Sequence, residues 1–214
     1  GASRGNRGGG ANNFLIGQPR GISTTNSFGI NYSDNWWKKV KVSGSYFFNN
    51  TNNSNIDSLT RNYFTDTSNT SVYREYDSLD SRNANHRINL RLEYTIDSFN
   101  TVIFAPGISL QDNKTTSSTT AFSSLAEILQ SMTANNNAAY NAGYSSTDNL
   151  LLQHKFKKPR RTISLNLNTA LNEKNGNGSY YSANYFFSPY DTSLRDQHYD
   201  LYNDNNTASA NATY

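Results

Sequence analysis

Three histidines, His86, His154 and His198, are the residues most capable of metal or acid–base chemistry, and their placement argues against both. They are far apart, and none belongs to an HxH or HExxH pattern, the spacings that put two ligands on one face of a strand or helix. They are expected to be solvated or to face a wet interior. No convincing Ser/His/Asp set can be assembled around them, so the chain is expected not to be an enzyme, with no metal and no cofactor. The stretch "SRGNRGGG" has the glycines of a phosphate loop but lacks the GxxxxGK[ST] order, and no helix signal follows it. Residues 1–20 are therefore expected to form a glycine-rich mobile loop. Lys38, Lys39 and Lys41, and again Lys155 to Arg161, raise nucleic acid as a partner. A net charge of +3 and a pI near 9.0 are too modest to support it, and basic side chains snorkelling at a solvated interface are the simpler reading.

The elements that position these residues follow from composition and period. Hydrophobic residues make up 35% of the 214 and charged residues 16%, while 15 Tyr and 11 Phe set the chain apart from disordered sequences, which avoid aromatics. Asn, Ser, Thr, Tyr, Phe and Gly suit turns and strands and are poor helix material, so the expected class is all-β. The chain has 0 Cys, which excludes a disulfide scaffold and thiolate metal sites. No apolar run approaches the roughly 20 residues of a membrane-spanning helix.

Strict alternation marks the strands. In "GISTTNSFGINYSD", Ile22, Thr24, Asn26, Phe28, Ile30 and Tyr32 share one face. A turn at Asp34-Asn35 is expected next, and "KVKVSGSYFF" then puts Val40, Val42, Gly44, Tyr46 and Phe48 on one side. "HRINLRLEYTID" sets Ile88, Leu90, Leu92, Tyr94 and Ile96 against Arg87, Asn89, Arg91, Glu93 and Thr95. The turn "DSFN" leads to Val102, Phe104, Pro106, Ile108 and Leu110. Leu150, Leu152, His154 and Phe156 precede the turn "KKPRR". Beyond that turn, Ile163, Leu165, Leu167, Thr169 and Leu171 oppose Ser164, Asn166, Asn168 and Ala170. The long polar stretch Asn49 to Asn85 is expected as a large loop or a hairpin reaching beyond the sheet, and the segments after Leu110 and Leu171 as long loops. Within one of them "FSSLAEILQSM" carries Phe122, Leu125, Leu129 and Met132 at helical spacing, which predicts a short helix. A further turn is expected at Asn175 to Gly178, followed by one or two strands.

Short and long connections therefore alternate, and in an up-and-down antiparallel sheet all the short ones fall at one end. That is the sorting of a transmembrane β-barrel, with short periplasmic turns and long extracellular loops. Strands of about 9–11 tilted residues cross a bilayer, and Lys39 to Phe48, Arg87 to Ile96 and Thr162 to Leu171 have that length. On this reading Arg87, Asn89, Arg91, Glu93, Ser164, Asn166 and Asn168 face a wet lumen, with Arg91 and Glu93 paired to neighbours. Trp36, Trp37 and Tyr94 sit at the membrane interface, and lipid is the partner of the apolar face. A soluble β-sandwich or solenoid, serving as an adhesin or glycan-binding module with Tyr and Phe stacking on sugars, has the same alternation and is the competing reading.

The phrases "GISTTNSFGINYSDNWWKKVKVSGSYFFNNTNN", "NHRINLRLEYTIDS" and "HKFKKPRRTISLNLNT" resemble the barrel region of Bacteroidota outer-membrane β-barrel proteins similar to TonB-dependent receptors, over most of Gly21 to about Ser179. The resemblance implies a location in the bacterial outer membrane and uptake of a ligand, whose identity it leaves open. It also implies a plug domain, an inner-membrane TonB energy-transducing complex acting through that plug, and a barrel of about 22 strands. The sequence shows only six or seven strand patterns and no plug or energy-coupling box, so residues 1–214 are expected to be part of a barrel wall. The plug and the remaining strands are expected from outside this stretch.

Overall fold

The computed structural model describes residues 20–66, 69–158 and 160–214. They form a single antiparallel sheet of seven strands in sequential order. The strands are β1 (Ile22–Trp36), β2 (Val40–Asp66), β3 (Asn69–Thr95), β4 (Asn100–Leu125), β5 (Ile128–Lys155), β6 (Thr162–Phe187) and β7 (Tyr190–Thr213). The all-β, up-and-down architecture expected from the alternation is present, and there is no helix among the described residues. β1 and β7 are the two edges of the sheet. The glycine-rich loop expected over residues 1–20 lies outside the described residues, apart from Arg20.

β2 to β6 run for 26 to 28 residues each, far longer than the ten or so expected. The polar stretches after Phe48, Leu110 and Leu171 are therefore zipped hairpin arms and not long loops. Their period-2 pattern persists with Asn, Ser and Thr in place of apolar residues. Such side chains bond across the ladder, as in Thr25 to Thr51 at 2.9 Å and Thr133 to Asn184 at 2.7 Å. At the far end of the arms, Ala126-Glu127 and Ser188-Pro189 are two-residue turns.

Three further expectations change. The first hairpin turns at Trp37 to Lys39, with Trp37 and Lys38 at φ 51° and 60°, and not at Asp34-Asn35. A turn at Asp34-Asn35 would set Ile30 against Lys39 and Phe28 against Lys41. The observed register pairs Ile30 with Tyr46 and Phe28 with Phe48, so apolar side chains meet across the ladder. "FSSLAEILQSM" is the tip of the β4–β5 hairpin, with Ala126 and Glu127 at φ 49° and 67° and Phe122 opposite Met132. Residues at either side of a tight turn mimic helical spacing. Asn175 to Gly178 lies inside β6, where the glycines make room for neighbours: a Cβ on Gly178 would stand 2.4 Å from the Tyr199 ring.

The sheet is one layer thick. The 24.0 kDa chain exposes 15415 Å², where a compact protein of that mass exposes about 9,900 Å². Among the described residues no large side chain is fully buried, and Phe28 (59% exposed), Ile30 (56%) and Leu90 (43%) have no second layer to pack against.

The hairpin at Ala126-Glu127 is testable by sign. A left-handed non-glycine residue is strained, so Glu127→Gly is expected to stabilise the fold by about 0.5–1 kcal/mol in equilibrium urea unfolding. A helix over this segment would instead lose about 1 kcal/mol to the same glycine.

Candidate functional site

Residues paired across an antiparallel ladder project to the same side, so the registers define two faces of the sheet. One face begins at the short-turn end with the row Trp36, Val40, Tyr94, Val102, Leu152, Leu165, Ala212. Asp34, Val42, Leu92, Phe104, Leu150, Leu167 and Ala210 form the next row. Moving away from the turns, the fifth row still holds Phe28, Phe48, His86, Leu110 and Tyr144. Beyond it Asn26, Asn50, Ala84, Asp112 and Ala142 begin the polar arms. The apolar rows span Val40 to Phe48, nine residues, which is about 27 Å along the strand.

The band is fullest on β1 to β4. On β5 and β6 its middle is interrupted by Asp148, which accepts from Thr169 Oγ1 at 3.1 Å and from Ser146 Oγ at 3.3 Å, while β7 contributes small alanines. The hydroxyl donors lower the cost of a carboxylate at that depth. Gly44 lies in the same middle row and leaves space for Leu90, whose Cδ2 would be 2.7 Å from a Cβ there.

The opposite face is a ladder of amides and hydroxyls. Arg87, Asn89, Arg91 and Glu93 of β3 lie on it, as do Ser164, Asn166 and Asn168 of β6. Asn89 donates to Ser45 Oγ at 3.3 Å, and Glu93 takes Arg91 at 3.6 Å and Lys41 across the ladder at 3.8 Å. Two intervening strands separate the β3 group from the β6 group, so the seven residues do not form one cluster. Residues missed in the sequence link strands across this face. Asn149 donates to Asn166 at 2.7 Å and to Asn168 at 2.6 Å. Ser145 donates to Asn172 at 2.6 Å, and Gln111 to Asn83 at 2.7 Å. Their signal was the same alternation, which for Asn149 lies at the start of a segment read as a strand and for Ser145 and Asn172 continues into stretches read as loops.

Two of the three histidines correct an expectation. His86 lies on the apolar face between Tyr46 and Phe48, its Nδ1 2.8 Å from the Tyr46 hydroxyl and its ring 4.8 Å from that of Phe48. His154 also belongs to that face, packed edge-on to Phe156 at 4.8 Å with Nδ1 2.7 Å from Asn100 Oδ1. Aromatic neighbours and one polar partner suit an imidazole at the margin of an apolar band better than open water. His198, on the exposed β7 arm, is 3.6 Å from Asp196. Among the described residues no group of three or more His, Asp or Glu side chains is placed to hold a metal.

At the short-turn end, aromatic and basic residues form a rim. Trp36 and Trp37 meet edge-on at 6.0 Å, and Trp36 Nε1 donates to the Tyr32 hydroxyl at 2.9 Å. Tyr94 is two strands from Trp36 in the same row. Lys39 Nζ reaches the Ile96 carbonyl at 2.8 Å, tying the first turn to the second. In that second turn Asp97 accepts from the Asn100 side-chain amide at 2.9 and 2.8 Å and from the backbone N–H groups of Phe99 and Asn100 at 2.7 and 2.8 Å.

No family model matches the chain, and no curated protein matches it. Among solved structures it is similar to the outer membrane transporter YddB from Escherichia coli, at 5% identity and a TM-score of 0.17, over 82% of this chain and 36% of that one. It is also similar to the membrane pore complex of pneumolysin, at 8% identity and a TM-score of 0.15, over 88% of this chain and 31% of that one. The chain thus spans about a third of the length of each. Overlays this loose carry no argument about fold or function, which rest on the two faces.

The Asp97 turn has a pH signature. Donation by the Asn100 side chain, then by the Phe99 N–H, favours the carboxylate and holds Asp97 below its ordinary 3.8. The folded value is the lower one, so its contribution is fully present above the unfolded value and is lost as pH falls through the folded one. The Phe99 and Asn100 amide resonances are expected to titrate with a midpoint below 3.8 in NMR, and that transition is expected to vanish in Asp97→Asn.

Proposed function

We propose that the chain is a wall segment of a transmembrane β-barrel in the bacterial outer membrane, of the TonB-dependent-receptor-like kind that its sequence resembles, and that it serves ligand uptake. The observation that carries this reading is the apolar band. Five rows of mostly apolar side chains cross β1 to β4 in register, in a sheet with no second layer. A contiguous apolar surface of that extent is far above what soluble proteins leave in water. Its nine-residue height matches the apolar girdle of tilted barrel strands. The amide and hydroxyl ladder behind it suits a hydrated lumen, and Trp36, Trp37 and Tyr94 lie where an interfacial aromatic belt belongs.

In this setting the polar arms rise past the membrane on the external side and present side chains to ligand. The proposed partners are lipid, the remainder of the barrel and plug, and through the plug the TonB complex. The arms also keep a second reading alive. Tyr76, Tyr140 and Tyr181 are exposed on the band's own face beyond its polar limit, with the chemistry of a glycan-binding surface. An adhesin using those rings would hold its apolar band against protein and not lipid.

Leu90, at mid-height of the band, separates the two. Facing lipid, Leu90→Arg is expected to destabilise the chain by about 2–4 kcal/mol in urea titrations from phospholipid vesicles, while Asn168→Arg on the opposite face changes it little. A water-soluble chain that folds without detergent and tolerates Leu90→Arg sinks the barrel reading.

A further inference from the structure

The β5–β6 turn gathers positive charge in a way that the barrel reading does not itself require. Lys155, Lys157, Lys158 and Arg161 line one depression at the short-turn end, and no Asp or Glu among the described residues lines it. Its floor is aromatic, from Phe99, Phe156 and Tyr214, with the Phe156 ring 6.1 Å from that of Tyr214. The backbone fixes the shape, since Phe156 N–H donates to the Arg161 carbonyl at 3.0 Å and Lys155 N–H to the Phe99 carbonyl at 2.8 Å. Asp97, on the adjacent turn, is engaged by Asn100 and Phe99. Five cations stand within the seven residues 155–161, four of them lining the depression, and an anion seated among these relieves their mutual repulsion.

The floor is continuous with the apolar face. Phe156 packs on His154, whose strand neighbours on that side are Leu152 and Leu150. A molecule with its chains along Leu150 and Leu152 therefore carries its head group into the basic depression. We infer that this depression is a binding site for the phosphate of an anionic glycerophospholipid. The charge selects the phosphate, and the aromatic floor leading to the leucines selects a lipid over a free anion.

This inference rests on the membrane reading, and the experiment keeps the two apart. The closed barrel of which this chain is a wall segment is folded into phosphatidylcholine vesicles with and without phosphatidylglycerol, and lipid retained after transfer to detergent is measured by native mass spectrometry. Retention is expected to favour phosphatidylglycerol by about tenfold, to weaken with salt, and to lose that preference in K155Q/K157Q/K158Q/R161Q. All four side chains are exposed, so these changes leave the packing intact. K38Q/K39Q, on the first turn, is expected to keep the preference. Insertion with no phosphatidylglycerol preference, or a preference that survives the quadruple change, overturns the lipid site and leaves the barrel reading standing. Glycerol 3-phosphate competing as well as the lipid overturns it in favour of a free-anion pocket. Failure to enter either vesicle overturns the barrel reading as well.

Discussion

Register is the constraint on which everything else in this sheet depends. Each of the six ladders joins like side to like side, so that Phe28, Phe48, His86 and Leu110 line up across four consecutive strands. A slip of one residue in any ladder would send an entire strand's apolar set to the amide face. In a protein with a closed core such a slip is resisted by packing from above. Here no second layer exists, and the resistance comes from the two faces themselves. Asn149 finds Asn166 and Asn168 only in the observed register, and Gly44 admits Leu90 only there.

The turns enforce that register by accepting strain. Trp37, Lys38, Ala126, Glu127 and Arg160 all have positive φ without being glycine. Each costs energy that a flexible loop would not, and each is held because the strands on either side are long. Lys39 adds a tie between two turns through the Ile96 carbonyl, and Asp97 closes its own turn with four hydrogen bonds. Strained residues thus stand at both ends of the sheet, and the short-turn end adds these ties to them. It is also the end where Trp36, Tyr94 and the basic residues collect.

Much of this was legible in the residues. The alternation of "KVKVSGSYFF", "HRINLRLEYTID" and "TISLNLNTALN" defined faces that the ladders reproduce, and it assigned Arg87, Asn89, Arg91 and Glu93, with Ser164, Asn166 and Asn168, to the side opposite the leucines. What failed shares one physical cause. A polar strand arm and a polar loop have the same composition, so Asn49 to Asn85 admitted a large loop as readily as the hairpin whose two described strands it supplies. The Asp34-Asn35 turn rested on residue type, but strand pairing preferred apolar partners for Ile30 and Phe28 and moved the turn three residues on. His86 and His154 were misjudged because their polarity is visible in the sequence and Tyr46, Phe48 and Phe156 beside them are not, while His198 is solvated as expected.

The two edges decide what the sheet requires in lipid. β1 and β7 each leave one side of the backbone without a ladder partner, and in a hydrocarbon environment every such N–H and C=O must be satisfied. With seven antiparallel strands in sequential order, β1 and β7 point the same way. Joining them directly would create a parallel seam, and bacterial barrels of a single chain have even strand numbers and start at eight. An all-antiparallel closure therefore needs an odd number of strands between β7 and β1, each presenting apolar residues outward at the height of Val40 to Phe48. The thin side of the band bears on the same point. β7 offers only Ala208, Ala210 and Ala212 where β3 offers Leu90, Leu92 and Tyr94, so the strand that pairs with β7 must supply the bulk to carry the girdle past that edge.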